Sequence, residues 1–373
     1  MKKLVRLICA ISLLPLLAMI ALSGTLNIRF MDQTGRPIPD VVVRYSYTST
    51  PPATGGGTFE TKSNAAGWVS ITHPCSTFGS CCTLVSPVNY VVIGRAGYSI
   101  SGSSAVGCSP SSGDLTIFGI NHSPIQYSRL SVVSAANFSD RISPEMIVSA
   151  FGSNLATTIE VGGLPLPTML ANRRVLFRDI SGEEAPVRLL FVSPGQINFI
   201  TPSQMGNTTL AAVVVRDGNN QIISEGFPIA NSIAPGIFTA NANGQGVPAA
   251  VIVRARADGS QNYESVAEFD QTLQRFFPLA LDLGPESDIV VLALFGTGWR
   301  NFSNGTAGVS VKVGGIECPV EYTGKQPTIA GVDQLNVRLP RTLIGKDNVA
   351  VEVRFNLLGN VPVLANTVQL KIK

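Results

Sequence analysis

Short runs of alternating apolar and polar residues, each closed by a glycine or proline turn, fill this chain. "TLNIRF" puts Leu26, Ile28 and Phe30 on one side of a strand, "DQTGRPIPD" turns it, and "VVVRYSY" begins the next. "NAAGWVSITHP" and "NYVVIGRAGYSI" follow the same scheme, and "RDGNNQ" reads as a hairpin turn between two later strands. One stretch supports two patterns. In "YESVAEFDQTLQRFFPLALDL", Val266, Phe269, Leu273 and Phe276 would share a helical face, but Pro278 and the strand-rich surroundings favour a hairpin. With 36 Gly and 24 Pro in 373 residues, the pattern predicts an all-β chain of immunoglobulin-like sandwiches.

The second half carries an internal repeat. "MIVSAFGSNLA" (146–156) answers "VVLALFGTGWRN" (290–301), and "VGGLPLP" (161–167) answers "VGGIECP" (313–319). "GQINFITP" then answers "DQLNVRLP", and "TTLAAVVVRDGNNQII" answers "DNVAVEVRFNLLGN". Four blocks in one order imply two copies of a module. The expected layout is a signal peptide (1–23), a sandwich over 24–125, a first repeat over 126–236, and a second over 237–373 that holds the inserted hairpin. In the third block Gln196 and Asn198, and likewise Gln334 and Asn336, fall two apart on a strand, so both amides share one face. Ile197 and Phe199, or Leu335 and Val337, take the other. The amides serve either as ligand-facing strips or as hydrogen-bonding groups that tie the fold together. Recurrence in both copies favours the second role.

The first residues alter the charge. Lys2, Lys3 and Arg6 precede an apolar run interrupted by Pro15 and followed by Ala21-Leu22-Ser23, the layout of a secretory signal with cleavage near Ser23. The formal net charge of +3 comes from 27 basic and 24 acidic residues, so losing those three cations leaves about zero. No basic stripe remains for nucleic acid, and no span long enough to cross a membrane is expected in the mature chain. Cys75, Cys81, Cys82 and Cys108 cluster in the first sandwich. In an oxidising compartment they are expected to pair as Cys75–Cys81 with Cys82–Cys108, or as Cys75–Cys82 with Cys81–Cys108, a zinc site being the rival arrangement.

Catalytic patterns are thin. His73 and His122 lie in loops, and no G-x-S-x-G, HExxH, P-loop or EF-hand pattern occurs. Asp270, Asp282, Glu286 and Asp288 gather near the inserted hairpin, where a glycosidase would need two carboxylates facing each other. No cofactor is expected. Trp299 and Phe302, beyond the glycine turn of "FGTGWRN", are candidates for stacking on a sugar or entering a partner's pocket; the alternative is that Trp299 plugs the end of its own sandwich. Cys318, aligned with Leu166 through the second block, is expected to act as a small buried apolar residue.

"MDQTGRPIPDVVV", "NAAGWVSI" and "NYVVIGRAGYSI" resemble carboxypeptidase regulatory-like and Cna B-like immunoglobulin-type domains, here with the insertion "CSTFGSCC". "VVSAANFSDRISPEMIVSAFGSNLA", "FVSPGQINFITP", "IAPGIFTANANGQG" and "VDQLNVRLPRTLIGK" resemble the uncharacterised C-terminal domain family of acidobacterial, Solibacter-type exported proteins over roughly residues 128–373. These resemblances imply an extracytoplasmic bacterial protein and supply no catalytic residues. The sequence therefore predicts a secreted, non-enzymatic adhesive, binding or structural protein that meets an extracellular polysaccharide or a cell-surface protein. A carbohydrate-binding or enzyme-accessory module is the alternative, and an unrecognised hydrolase the third reading.

Overall fold

A computed structural model describes residues 23–32, 37, 42–47, 57–74, 86–93, 101–106, 113–120 and 128–373, apart from 180–182, 206–210 and 358–361. The signal segment to residue 22 and Cys75, Cys81, Cys82 and Cys108 lie outside the described residues. Among those described there is no α-helix, only strands and the single 3-10 turns Thr306–Gly308 and Arg341–Leu343. No helix there is long and apolar enough to cross a membrane.

The N-terminal part holds a three-stranded sheet, Trp68–Pro74, Ser23–Asp32, Gly113–Ile120, and a four-stranded one, Gly57–Lys62, Val42–Tyr47, Ser86–Ile93, Ser101–Val106. Alternation buries Ile28 and Phe30, with Val43, Val69 and Ile71. Trp68 is half-buried, with the Arg29 guanidinium 5.3 Å from its ring centre.

Next comes a five-stranded sheet in the order Glu160–Val161, Arg188–Val192, Gln196–Ile200, Ile147–Phe151, Ser131–Ser134. It packs on a sheet ordered Met169–Leu170, Arg173–Arg178, Ala212–Asp217, Ile222–Gly226, Ser128–Arg129. Val148, Ile197 and Phe199 from one meet Val175, Phe177 and Val213 from the other in a single core. The turn read from "RDGNNQ" forms as expected: Asp217 Oδ1 accepts the Asn219 and Gln221 N–H groups, and Asn220 takes φ 66°.

The last part repeats the plan. Gln261–Ser265, Ala250–Ala255, Ile289–Thr297, Asp333–Arg338 and Val320–Lys325 form one sheet. Ala280–Leu281, Val368–Ile372, Asp347–Phe355, Val309–Val313 and Ile316–Cys318 form the other. Leu292, Leu294, Leu335 and Val337 face Val311, Val351 and Phe355 across the core. The ambiguous stretch is a hairpin, Ala267–Asp270 against Arg275–Pro278, with Phe269 opposite Phe276. Of the four residues that would have shared a helical face, only Val266 is buried.

Topology changes the repeat alignment. Val309–Val313 lies between Asp347–Phe355 and Ile316–Cys318, just as Arg173–Arg178 lies between Ala212–Asp217 and Glu184–Pro186. The counterpart of "VGGIECP" is therefore the hairpin that ends in "EEAPV", not "VGGLPLP", and Cys318 corresponds to Val187, equally buried, rather than to Leu166. The two Val-Gly-Gly runs serve different purposes. Gly314 (φ 55°) and Gly315 (φ 79°) make a hairpin turn, whereas a Cβ on Gly162 would sit 2.3 Å from the Leu189 carbonyl oxygen.

The repeats join without a linker. Gly298 O accepts hydrogen bonds from Ala234 N–H (2.8 Å) and Ser143 Oγ (3.1 Å). Thr297 Oγ1 accepts from Ile147 N–H (2.9 Å) and donates to Gly331 O (2.7 Å). Ser143 and Thr297 are both buried, so these bonds are shielded from water.

Candidate functional site

The two amide strands take the predicted orientation. Ile197 and Phe199, and Leu335 and Val337, are fully buried, while Gln196, Asn198, Gln334 and Asn336 lie half-buried on the opposite side of their sheets. Within each pair the amides bond to one another: Gln196 Nε2 donates to Asn198 Oδ1 (2.8 Å) and Gln334 Nε2 to Asn336 Oδ1 (2.9 Å). The bond runs along the strand, from one amide to its neighbour two residues on, rather than to loop backbone or across the repeats. Each bridge fixes both side chains yet uses one of the Gln donors and one Asn acceptor, leaving donors and acceptors on both amides. Gln334→Ala is expected to cost about 1 kcal/mol, read as a lower midpoint in thermal unfolding; an unchanged midpoint would mean the bridge adds nothing to stability.

Strand register surrounds these amides with aromatic rings. Cross-strand partners share a face. Gln196 stands opposite Phe151, and Asn198 lies between Ser149 and Phe191. In the other copy Gln334 stands opposite Phe295, and Asn336 between Ala293 and Tyr322. In the first repeat the row extends further. Phe138, 43% exposed, stacks on Phe151 with ring centres 6.4 Å apart and planes at 29°. Its backbone holds φ 60°, uncommon for a bulky side chain. The turn is kept by Phe138 N–H to Ser134 O (3.0 Å), Ser139 N–H to Asn137 Oδ1 (3.1 Å) and Asn137 Nδ2 to Pro235 O (3.3 Å). None of these rings was singled out from sequence. Phe151 and Phe295 both precede the glycine of an "FG" block, a shared signal; Phe138, Phe191 and Tyr322 are brought in by register alone.

Trp299 and Phe302 are not available to a ligand. Trp299 is 1% exposed and Phe302 9% exposed, and their ring centres lie 5.8 and 5.3 Å from that of Phe355 inside the second core. Trp299 plugs the end of its sandwich, and the stacking role considered from sequence is withdrawn. Its turn is fixed by Asp333, which is completely buried: Oδ2 accepts from Trp299 N–H (2.8 Å) and Arg300 N–H (3.1 Å), and Oδ1 from Arg300 Nε (2.7 Å). Burial pushes the Asp333 carboxyl above the usual range, against the pull of Arg300 and the two N–H groups.

Three of the four acidic residues near the hairpin, Asp270, Asp282 and Asp288, serve the fold. Asp270 Oδ1 accepts the Thr272 and Leu273 N–H groups in the hairpin turn. Asp288 pairs with Arg254 Nη1 (3.3 Å), and Arg254 also reaches both Glu264 oxygens (2.6 and 3.0 Å). The Gly284 N–H and Lys373 hold the Asp282 carboxyl below its ordinary value, the opposite of what a general acid needs. A cleft of about 1210 Å³ between the repeats is bordered by Glu145, Asp179, Glu183 and Glu184, but Glu184 pairs with Arg178 and Arg216 and Glu145 with Arg188. Among the described residues no group of three His, Cys, Asp or Glu is placed to hold a metal ion. Cys318 is buried, its thiol pushed up to about 11 by desolvation, and behaves as the small apolar residue expected.

No family model and no curated protein matches the chain. Among solved structures it is similar to the Bacteroides ovatus mixed-linkage glucan utilization locus protein SGBP-B in complex with a mixed-linkage heptasaccharide. That similarity has 10% identity and a TM-score of 0.29, and covers 93% of this chain and 66% of that one. It is also similar to the shaft pilin SpaA from Lactobacillus rhamnosus GG, at 12% identity and a TM-score of 0.20, over 56% of this chain and 98% of that one. The all-β, immunoglobulin-like assignment rests on the packed sheets themselves.

Proposed function

We propose that this chain is a non-enzymatic binding protein that works outside the cytoplasm and meets a polysaccharide or a cell-surface protein. One observation carries the reading: both repeats present half-buried, pre-positioned amides flanked by aromatic rings on a sheet face, while Asp270, Asp282 and Asp288 are engaged in turns and ion pairs. Such a face suits recognition, since its hydrogen-bonding groups are held in place before a ligand arrives. The signal-like N-terminus and the cysteine cluster support an exported location.

The test pairs retention with turnover. Purified protein is run through native gels cast with individual polysaccharides and incubated with bacterial surface-protein extracts on beads, while release of reducing ends is followed in parallel. Retention or capture without turnover is expected. Turnover that disappears in Asp282→Ala would replace this reading with that of a hydrolase.

A further inference from the structure

We infer that the first repeat carries a site for a neutral polysaccharide, built from Phe138, Phe151, Gln196, Asn198 and Phe191; the inference rests on the binding reading above and names its ligand class and place. Three independent features meet there. Phe138 is a large apolar side chain left 43% exposed, yet it is held by a hydrogen-bonded turn in a backbone conformation that a bulky residue rarely adopts. An exposed aromatic residue held in that conformation motivates a functional reading of its side chain. Phe138 stacks on Phe151, which stands opposite Gln196. Beyond the bridged Gln196 and Asn198, Phe191 closes the row.

Charge selects among ligands. The cross-strand rows through Phe151 and Asn198 carry no ionisable side chain: Ser131 partners Phe151, Val133 partners Ser149, and Val161 partners Phe191. Glu160, next to Val161, is turned to the Ala171 N–H (3.0 Å) and the Thr158 hydroxyl. The charge on this face, Arg188 opposite Ile200, lies toward the second repeat and is paired with Glu145. A uronate, a phosphate or a charged peptide would find no counter-ion on these rows. A sugar hydroxyl, which both donates and accepts, matches the free capacity of the two amides, and the apolar faces of sugar rings suit exposed phenylalanine. The second repeat keeps the amides and two rings but lacks a counterpart of Phe138, so the site belongs to the first.

The experiment uses affinity electrophoresis of the whole mature chain in gels containing xyloglucan, galactomannan, laminarin or soluble starch, with polygalacturonate and alginate as acidic polymers. Retardation by at least one neutral polymer and by neither acidic one is expected. Phe138→Ala and Phe151→Ala should each weaken retardation about tenfold, the scale of truncating an aromatic anchor, whereas Phe269→Ala on the hairpin should leave it unchanged. Phe138→Gly separates binding from folding: glycine adopts φ 60° freely, so the melting temperature should hold or rise while retardation is lost. Retardation that survives Phe138→Ala and Phe151→Ala would overturn the site and leave the binding reading intact. Binding confined to the acidic polymers, or capture of a surface protein with no neutral polymer bound, would overturn the ligand class alone, and failure of the whole chain to bind anything would overturn both.

Discussion

Asp333→Ala should destabilise the second repeat by about 3–5 kcal/mol, the range for a buried ion pair that loses one member. The carboxylate is fully buried and satisfies three donors at once, two of them backbone N–H groups in the turn that carries Trp299. Its removal leaves the Arg300 guanidinium, itself only 10% exposed, without a counter-charge. The loss should also free the Trp299 ring from its position over Gly296, where a Cβ would meet it at 2.3 Å. Asp333→Asn keeps the shape and an acceptor but loses the charge, so it should fall between the two. Urea titration followed by tryptophan fluorescence reads both variants, and a midpoint for Asp333→Ala within error of wild type would show that the turn stands without its carboxylate.

Gly298→Ala should be as damaging by a different route. Gly298 sits at φ 94°, and an added Cβ would lie 2.1 Å from the Ala234 carbonyl oxygen, backbone that cannot swing aside. The unfavourable backbone conformation alone costs about 1–3 kcal/mol, and relieving the contact would disrupt the hydrogen bonds that Gly298 O receives from Ala234 and Ser143. Calorimetry should show a transition that is lowered and split as the repeats come apart. The first repeat offers a control. Asn154 holds the matching position at φ 56°, and asparagine tolerates that region, so Asn154→Gly should shift the transition little. A single unshifted transition for Gly298→Ala would refute the account of the junction.

That pairing of Asn154 with Gly298 explains which parts of the fold could be read from the sequence. Residues that favour left-handed backbone, and strict alternation such as Gln196-Ile197-Asn198-Phe199, are local signals and were legible, as was the hairpin marked by Pro278. Val-Gly-Gly misled because glycine answers two unlike demands: a turn at Gly314 and Gly315, and close backbone approach at Gly162. Only strand pairing tells them apart. The candidate site shows the same limit. Amides two apart could be placed on one face, but the rings beside them come from other strands whose register the sequence does not show, as with Phe151 opposite Gln196 and Phe191 opposite Asn198, or from a turn such as that of Phe138. Trp299 fills the end of its sandwich, the reading that the sequence favoured over stacking on a ligand, and Phe302 joins it in the core; proximity to a glycine turn does not by itself reveal whether the turn folds outward or back over the core.

The junction also bears on mechanics. Between residues 231 and 236 the chain is tethered repeatedly: Asn231 N–H to Ile142 O, Ala234 N–H to Gly298 O, and Pro235 O from the Asn137 amide. A chain anchored so often has no free stretch in which to swivel. Load applied to a polymer seated on the first repeat would pass through these short bonds into the second repeat, moving the pair as one lever arm. The Asn137 tether belongs to the same turn that holds Phe138, so a pull on the ring proposed to bind would reach the junction through the adjacent residue.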